Sequence, residues 1–241
     1  MVSFGSAVAK TKLHGIQFAF LTAVFGNVLS TACSPAGAAA AVEFQRASDY
    51  LPLRLGMSWT YRVSDDQGRS ADRVALVEGP ALWGSGSVGT ALRVRFGLLD
   101  GSVIRWETRT ADGVACESEE MRDASGAVTA EEEYDPPETV VDERPARLVA
   151  GVAWSETFMD TTPNYHGHPK TRSASAKWVV ESTNDRVTVP AGTFTCLRVK
   201  RTRKHRPPAV FWFAKGVGLV KELGAGPLGN ETLALARPAG S

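Results

Sequence analysis

The stretch that most constrains this chain runs from Arg186 to Leu223, RVTVPAGTFTCLRVKRTRKHRPPAVFWFAKGVGLVKEL. Short runs of alternating apolar and polar residues are separated there by residues that end a strand. Val187 and Val189 fall on one face, and Pro190-Ala191-Gly192 then breaks the ladder: proline has no N–H to donate, and glycine tolerates positive φ. Phe194, Cys196, Leu197 and Val199 carry the next run, which ends in the basic segment Lys200 to Arg206 and Pro207-Pro208. Phe211-Trp212-Phe213 follows, and Ala214-Lys215-Gly216-Val217-Gly218 turns the chain into Leu219-Val220-Lys221. Successive antiparallel strands are the only regular structure that this pattern supports.

The same pattern covers most of the chain. Met57, Trp59, Tyr61 and Val63 alternate with Ser58, Thr60 and Arg62, the signature of a half-buried strand. Further strands are expected over Arg73–Glu78, Leu92–Phe96, Ile104–Arg109, Val114–Met121, Ala127–Tyr134, Ser173–Glu181 and Glu231–Arg237. Asp100-Gly101 and Asp112-Gly113 are hairpin signals, Pro136-Pro137 is expected to stop a strand, and Asp160–Lys170 is expected to be a polar loop. Turn signals at about ten-residue spacing predict an all-β fold, a curled antiparallel sheet forming a half-barrel or open barrel, with little helix outside the leader. Leu148-x-x-Gly151-x-x-Trp154 repeats the spacing of Leu53-x-x-Gly56-x-x-Trp59, suggesting two corners that each start a sheet.

Lys10, Lys12 and His14 precede the apolar run Ile16–Leu29, which ends in Ser30-Thr31-Ala32-Cys33. A basic segment, an apolar segment too short to span a bilayer, and small residues at its end indicate a secretory signal peptide over 1–32. Removing it takes the formal net charge from +1 to −1, because Lys10 and Lys12 go and no acid does. A chain so nearly neutral has no global field to collect nucleic acid. Leu29 to Ser34 resembles the bacterial lipobox, which makes Cys33 the lipidation site and the mature N-terminus, and Ser34 directs the product to the outer membrane. Serine stands three before the cysteine where that motif has leucine, and Ala36–Ala41 offers an ordinary cleavage site as the alternative. Residues 33–46 form a flexible tether, 47–238 a single domain, and 239–241 a tail. In an oxidising compartment Cys116 and Cys196 either pair as a disulfide or remain as two buried thiols.

Three segments carry a family resemblance: Tyr50-x-Pro52-Leu53-x-x-Gly56-x-x-Trp59-x-Tyr61, Val189-Pro190-Ala191-Gly192-Thr193-Phe194, and Ala214 to Lys221. Together they are similar to a broad group of uncharacterised bacterial exported lipoproteins, which resemble the LolA/LolB-like and TapB-like β half-barrels. The resemblance spans about residues 50 to 223. It implies a hydrophobic concave face and no catalytic residues, since Gly56, Gly192, Gly216 and Gly218 are structural turns and the other matches are core aromatics.

Other constellations are weaker. His166-Gly167-His168 has the look of metal ligands but sits in a polar segment beside Pro163 and Pro169, so neither metal nor cofactor is assigned. No nucleophile elbow occurs, and the glycine-rich loop Trp83–Gly89 matches no phosphate-binding spacing, so no enzyme activity is expected. Lys200, Arg201, Arg203, Lys204 and Arg206 form the densest charge run. It is either a contact for anionic lipid head groups or a solvated hairpin end that discourages edge pairing. Two functions follow as expectations: an envelope lipoprotein whose sheet binds a lipid or other hydrophobic ligand, and an envelope scaffold whose sheet binds another protein.

Overall fold

The computed structural model describes residues 49–80, 91–204, 206–225 and 230–240. The signal peptide, Cys33, the 33–46 tether, the Trp83–Gly89 loop and His205 therefore lie outside the described residues. The strands are β1 (Ser58–Asp65), β2 (Ser70–Pro80), β3 (Leu92–Leu98), β4 (Gly101–Arg109), β5 (Gly113–Asp123) and β6 (Val128–Asp142). They continue with β7 (Ala153–Tyr165), β8 (His168–Val189), β9 (Gly192–Arg203), β10 (Ala209–Ala214), β11 (Gly218–Ala225) and β12 (Glu231–Gly240). Each pairs antiparallel with its sequence neighbours, and β1 pairs with β12, so the curled all-β sheet closes into a barrel of 12 strands.

An eight-stranded barrel is just wide enough for ordinary side chains to fill, and twelve strands enclose more space. Large inward residues occupy it: Trp59 and Tyr61 on β1, Phe96 on β3, Tyr134 on β6, Phe158 on β7, Trp178 on β8, and Phe211 and Phe213 on β10, all buried. Phe211 stacks on Phe213 at 6.0 Å, and Tyr134 meets Phe158 edge-on at 5.4 Å. The concave face expected to be apolar is thus largely filled by the chain's own aromatics. The outer wall carries Arg62, Asp72, Arg95 and Lys177, all exposed. That is the reverse of a transmembrane barrel, whose outward band is apolar.

The echoed motif builds the same corner twice. Gly56 donates its N–H to Val77 O at 2.9 Å while Val77 donates to Met57 O at 2.9 Å; Gly151 donates to Val180 O at 2.8 Å while Val180 donates to Val152 O at 2.9 Å. Both glycines hold φ near +80°. One corner leads into β1 and the other into β7, dividing the barrel into two sets of six strands.

Several boundaries differ from the sequence expectation. Pro136-Pro137 does not stop β6, which goes on pairing with β5 past a bulge, Cys116 opposite Glu138. What the prolines end is the ladder to β7: only Glu133, Tyr134 and Asp135 pair across, because no N–H follows to continue it. Below that point Glu156 bridges the split with its carboxylate, which accepts from the Thr139 hydroxyl (2.6 Å) and from Trp178 Nε1 (2.8 Å). Asp160–Lys170 is not a loop but the end of the β7–β8 hairpin, where Thr161 opposes Thr171 and residues 168–173 of β8 are exposed on both faces. Its ladder is held by backbone bonds and polar cross-strand pairs, which leave no apolar alternation to read. The last strand does not end at Arg237: it runs to Gly240, with Pro238 accommodated in an irregularity between the Thr60–Arg237 and Ser58–Gly240 pairs.

Candidate binding site at the barrel mouth

One end of the barrel is plugged. Arg109, at the end of β4, donates to Glu143 Oε2 (2.9 Å), to Asp49 Oδ1 (2.6 Å) and to the Leu51 carbonyl. Glu143 Oε1 accepts the Tyr50 N–H at 2.8 Å, and Asp49 O accepts from Gly216 N–H at 2.7 Å. Tyr50 and Leu51 are buried by this arrangement. The first and third resemblance segments meet here: Trp59 Nε1 donates to Val217 O at 2.8 Å, and the Tyr61 hydroxyl to Leu219 O at 2.9 Å. Gly218, at φ +103°, lies against the Trp59 indole, where a Cβ would come within 3.4 Å of Nε1. All four predicted turns, Gly56, Gly192, Gly216 and Gly218, do hold positive φ.

The other end is a mouth. Between β4–β6 and β9–β11 it contains a cavity of about 340 Å³ lined by Arg105, Glu119, Glu132, Arg201, Arg203, Arg206 and Glu222, with Val103, Met121, Ala130, Pro207 and Ala225 as its apolar part. An adjoining cleft of about 270 Å³ shares Arg203 and Arg206 and contains Asp160, whose Oδ2 accepts from Arg172 at 2.8 Å and whose Oδ1 has no hydrogen-bond partner among the described residues.

This is where most of the basic run goes: Arg201, Arg203 and Arg206 line the mouth and do not form a solvated hairpin tip. Residues two apart on a strand share a face. Val199 points into the barrel, so Arg201 and Arg203 point there too, opposite Trp178 and Ala176 of β8. Arg203 is 8% exposed, grips Glu138 through Nε (2.6 Å) and Nη2, and lies 5.1 Å from the Tyr134 ring and 5.2 Å from that of Phe158. Arg201 sits over Phe211 at 5.3 Å and Trp178 at 5.7 Å. Arg206, past the strand end, pairs with Glu132. Only Lys200 and Lys204 lie off this inward face, and Lys204 is exposed.

Three of the four arginines are each paired closely with a carboxylate: Arg105 with Glu119 (Nε to Oε2, 2.9 Å), Arg203 with Glu138 and Arg206 with Glu132. Burial alone would push Glu119 up, but Arg105 and Arg206 outweigh it and hold its carboxyl below the usual range. Arg105 and Arg203 are held in the charged form by their carboxylates against the cost of burial. Glu222 is different. Burial raises its pKa, Arg105 and Arg201 only partly offset that, and among the described residues it makes no hydrogen bond or close ion pair.

The acidic half of the site was not anticipated from sequence. Glu119, Glu132, Glu138 and Glu222 were indistinguishable there from solvated strand glutamates, since bulges between Cys116 and Ser118 and near Glu107 change which parity faces inward. The parity of Arg201 and Arg203 with Val199 was legible. Cys116 and Cys196 stand as free buried thiols on β5 and β9, with three strands between them, and no disulfide joins them. Cys116 Sγ donates to Ser118 O at 3.1 Å, and burial pushes both thiols up, Cys196 to about 11. His166 and Gly167, both at positive φ, form the β7–β8 turn, and among the described residues no group of side chains is arranged to hold a metal ion.

The fold and cavity together define a closed antiparallel β-barrel, plugged where the chain enters it and open at a charged mouth. No family model matches the chain, and no curated protein matches it. Two solved structures are similar. One, from Parabacteroides distasonis ATCC 8503, is provisionally designated a lipoprotein; it is 12% identical, with a TM-score of 0.36, over 80% of this chain and 100% of that one. The other, from Bacteroides fragilis NCTC 9343, is provisionally designated an exported protein with a YmcC-like fold. It is also 12% identical, with a TM-score of 0.33, over 79% of this chain and 99% of that one.

Proposed function

We propose that this protein is a non-enzymatic lipoprotein of the bacterial cell envelope, on the periplasmic side of the outer membrane, whose barrel mouth receives the polar end of an amphiphile such as a lipid. Export and anchoring rest on the leader and on Cys33 in Leu29–Ser34. Two acyl chains or more on such a cysteine give stable attachment. The sequence resemblance over about residues 50 to 223 to exported lipoproteins implies a sheet with a hydrophobic concave face. The observation that carries the reading is the mouth cavity, which at about 340 Å³ falls in the size range of small-ligand sites, roughly 300–1,000 Å³. Its lining of charged groups beside Val103, Met121 and Ala225 suits a molecule with a polar end and an apolar remainder. A purely hydrophobic ligand would strand those charges.

The alternative, docking another envelope protein through the sheet, is limited to the split between β6 and β7 beyond Asp135. Elsewhere the closed ladder spends its backbone groups within the barrel.

Native mass spectrometry of the protein taken from its own envelope tests the reading. A bound species of amphiphile mass is expected, and Ala130→Trp, which fills the cavity from β6, should abolish it. Wild-type protein carrying no ligand, or an Ala130→Trp variant that retains it, would contradict the reading.

A further inference from the structure

The mouth holds four arginines and, counting Glu138 beneath Arg203, four glutamates. Three pairs are closed, as described above. The fourth is not. Arg201 spends one Nη1 contact on Glu138, at 3.4 Å, a carboxylate already gripped by Arg203. Its remaining donors have no hydrogen-bond partner among the described residues, and the guanidinium lies over the Phe211 and Trp178 rings. Glu222 lines the same cavity from β11, is 3% exposed, and its carboxylate accepts no hydrogen bond there. Arg201 and Glu222 feel one another's charge, yet no ion pair joins them.

Opposite charges on one cavity wall, Glu222 buried and Arg201 half-buried, gain by pairing, or else each needs its own counter-charge. Because the site is balanced, four cations against four anions, a polyanion or a polycation would leave it with net charge. A ligand that is itself balanced would not. Resting on the reading of the mouth as a binding site, we propose that the ligand's polar end is a zwitterion, with a primary ammonium held by Glu222 and an acid group, phosphate or carboxylate, held by Arg201. Arg201 offers the planar fork that suits either acid. Glu222 is acceptor-only when ionised and matches the three donors of an ammonium.

The test is calorimetric titration of the full-length protein, in an uncharged detergent, with O-phosphoethanolamine and β-alanine beside their amine-free counterparts, inorganic phosphate and propionate, and with ethanolamine. At least one zwitterion should bind about tenfold or more tighter than its amine-free counterpart and than ethanolamine, as expected of one added charge-assisted contact. Glu222→Gln should remove the zwitterion's advantage over its amine-free counterpart, whereas Arg201→Gln should weaken the binding of both. The wild-type comparison needs no variant, so a misfolded Glu222→Gln does not spare the proposal. Competition by vesicles of phosphatidylethanolamine, but not of phosphatidylglycerol, would identify a lipid headgroup as the source; binding of the soluble compounds alone would identify a free small molecule. Both outcomes support the zwitterion. Acids binding equally with and without the amine would overturn it while leaving the mouth as an anion site. No binding by any probe, vesicles included, would overturn the binding reading with it.

Discussion

Glu107, on β4, is the residue whose environment is least reconciled with its charge. It is 1% exposed, and neither carboxylate oxygen has a hydrogen-bond partner among the described residues. Burial dominates and pushes its pKa from 4.5 to about 7; Arg105 and Arg109 pull it down, while Glu119 and Glu222 push it further up. A carboxyl whose folded pKa lies above its unfolded value keeps its proton in the native state over a window where the unfolded chain has lost it. Its contribution to stability is therefore intact below about pH 4.5 and is lost progressively as pH rises to about 7. Glu107→Gln keeps the shape and removes the titration. Relative to wild type, the variant should gain on the order of 2–3 kcal/mol between pH 5 and pH 8. Urea midpoints at the two pH values measure it, and parallel pH profiles for the two proteins would show that Glu107 does not titrate in that window.

At the scale of the element, hairpins and turns were the most legible features. Asp100-Gly101 and Asp112-Gly113 do mark hairpins, but the glycine in each opens the following strand and does not sit in the loop: Gly101 pairs with Leu98, and Thr110 donates its N–H to Gly113 O. The physical requirement differs between turns. At Gly192, φ is +132° and a Cβ would meet nothing within 4 Å, so a side chain there costs only its backbone conformation, about 1 kcal/mol for alanine. At Gly101, φ is +150° and a Cβ would fall 2.0 Å from the carbonyl oxygen of Arg122 on β5, so the β4–β5 ladder must part. Gly101→Ala should cost about 3 kcal/mol or more, several times the loss in Gly192→Ala. Equal shifts in thermal unfolding would mean that the two strands are not in this register. The inward turn of the basic run was also within reach of the sequence, from the parity of Arg201 and Arg203 with Val199. The polar β7–β8 hairpin was not, because its ladder lies beyond the core and needs no apolar alternation.

For the whole molecule, the all-β class followed from periodicity, and the corner Leu-x-x-Gly-x-x-Trp gave its two starting points. Closure was not readable. It depends on β12 reaching β1 across the full chain, with Asp65 opposite Glu231, and no local pattern encodes a contact of that separation. Nor was the charged interior, since a strand glutamate facing the lumen and one facing water have the same sequence neighbours wherever a bulge resets the parity. Twelve strands enclose more volume than aromatic side chains fill, and at the mouth the remainder is occupied by arginine–glutamate pairs and a cavity. The chain enters at the plugged end, tied by Arg109 to Asp49 and Glu143, so the cavity opens at the end away from that entry. The most direct measurement of this arrangement is a crystal structure of the protein purified from its own envelope without delipidation. The expected result is a closed barrel with ligand density in the mouth, bridging Arg201 and Glu222. An empty cavity in which those two side chains have swung together into an ion pair would contradict it.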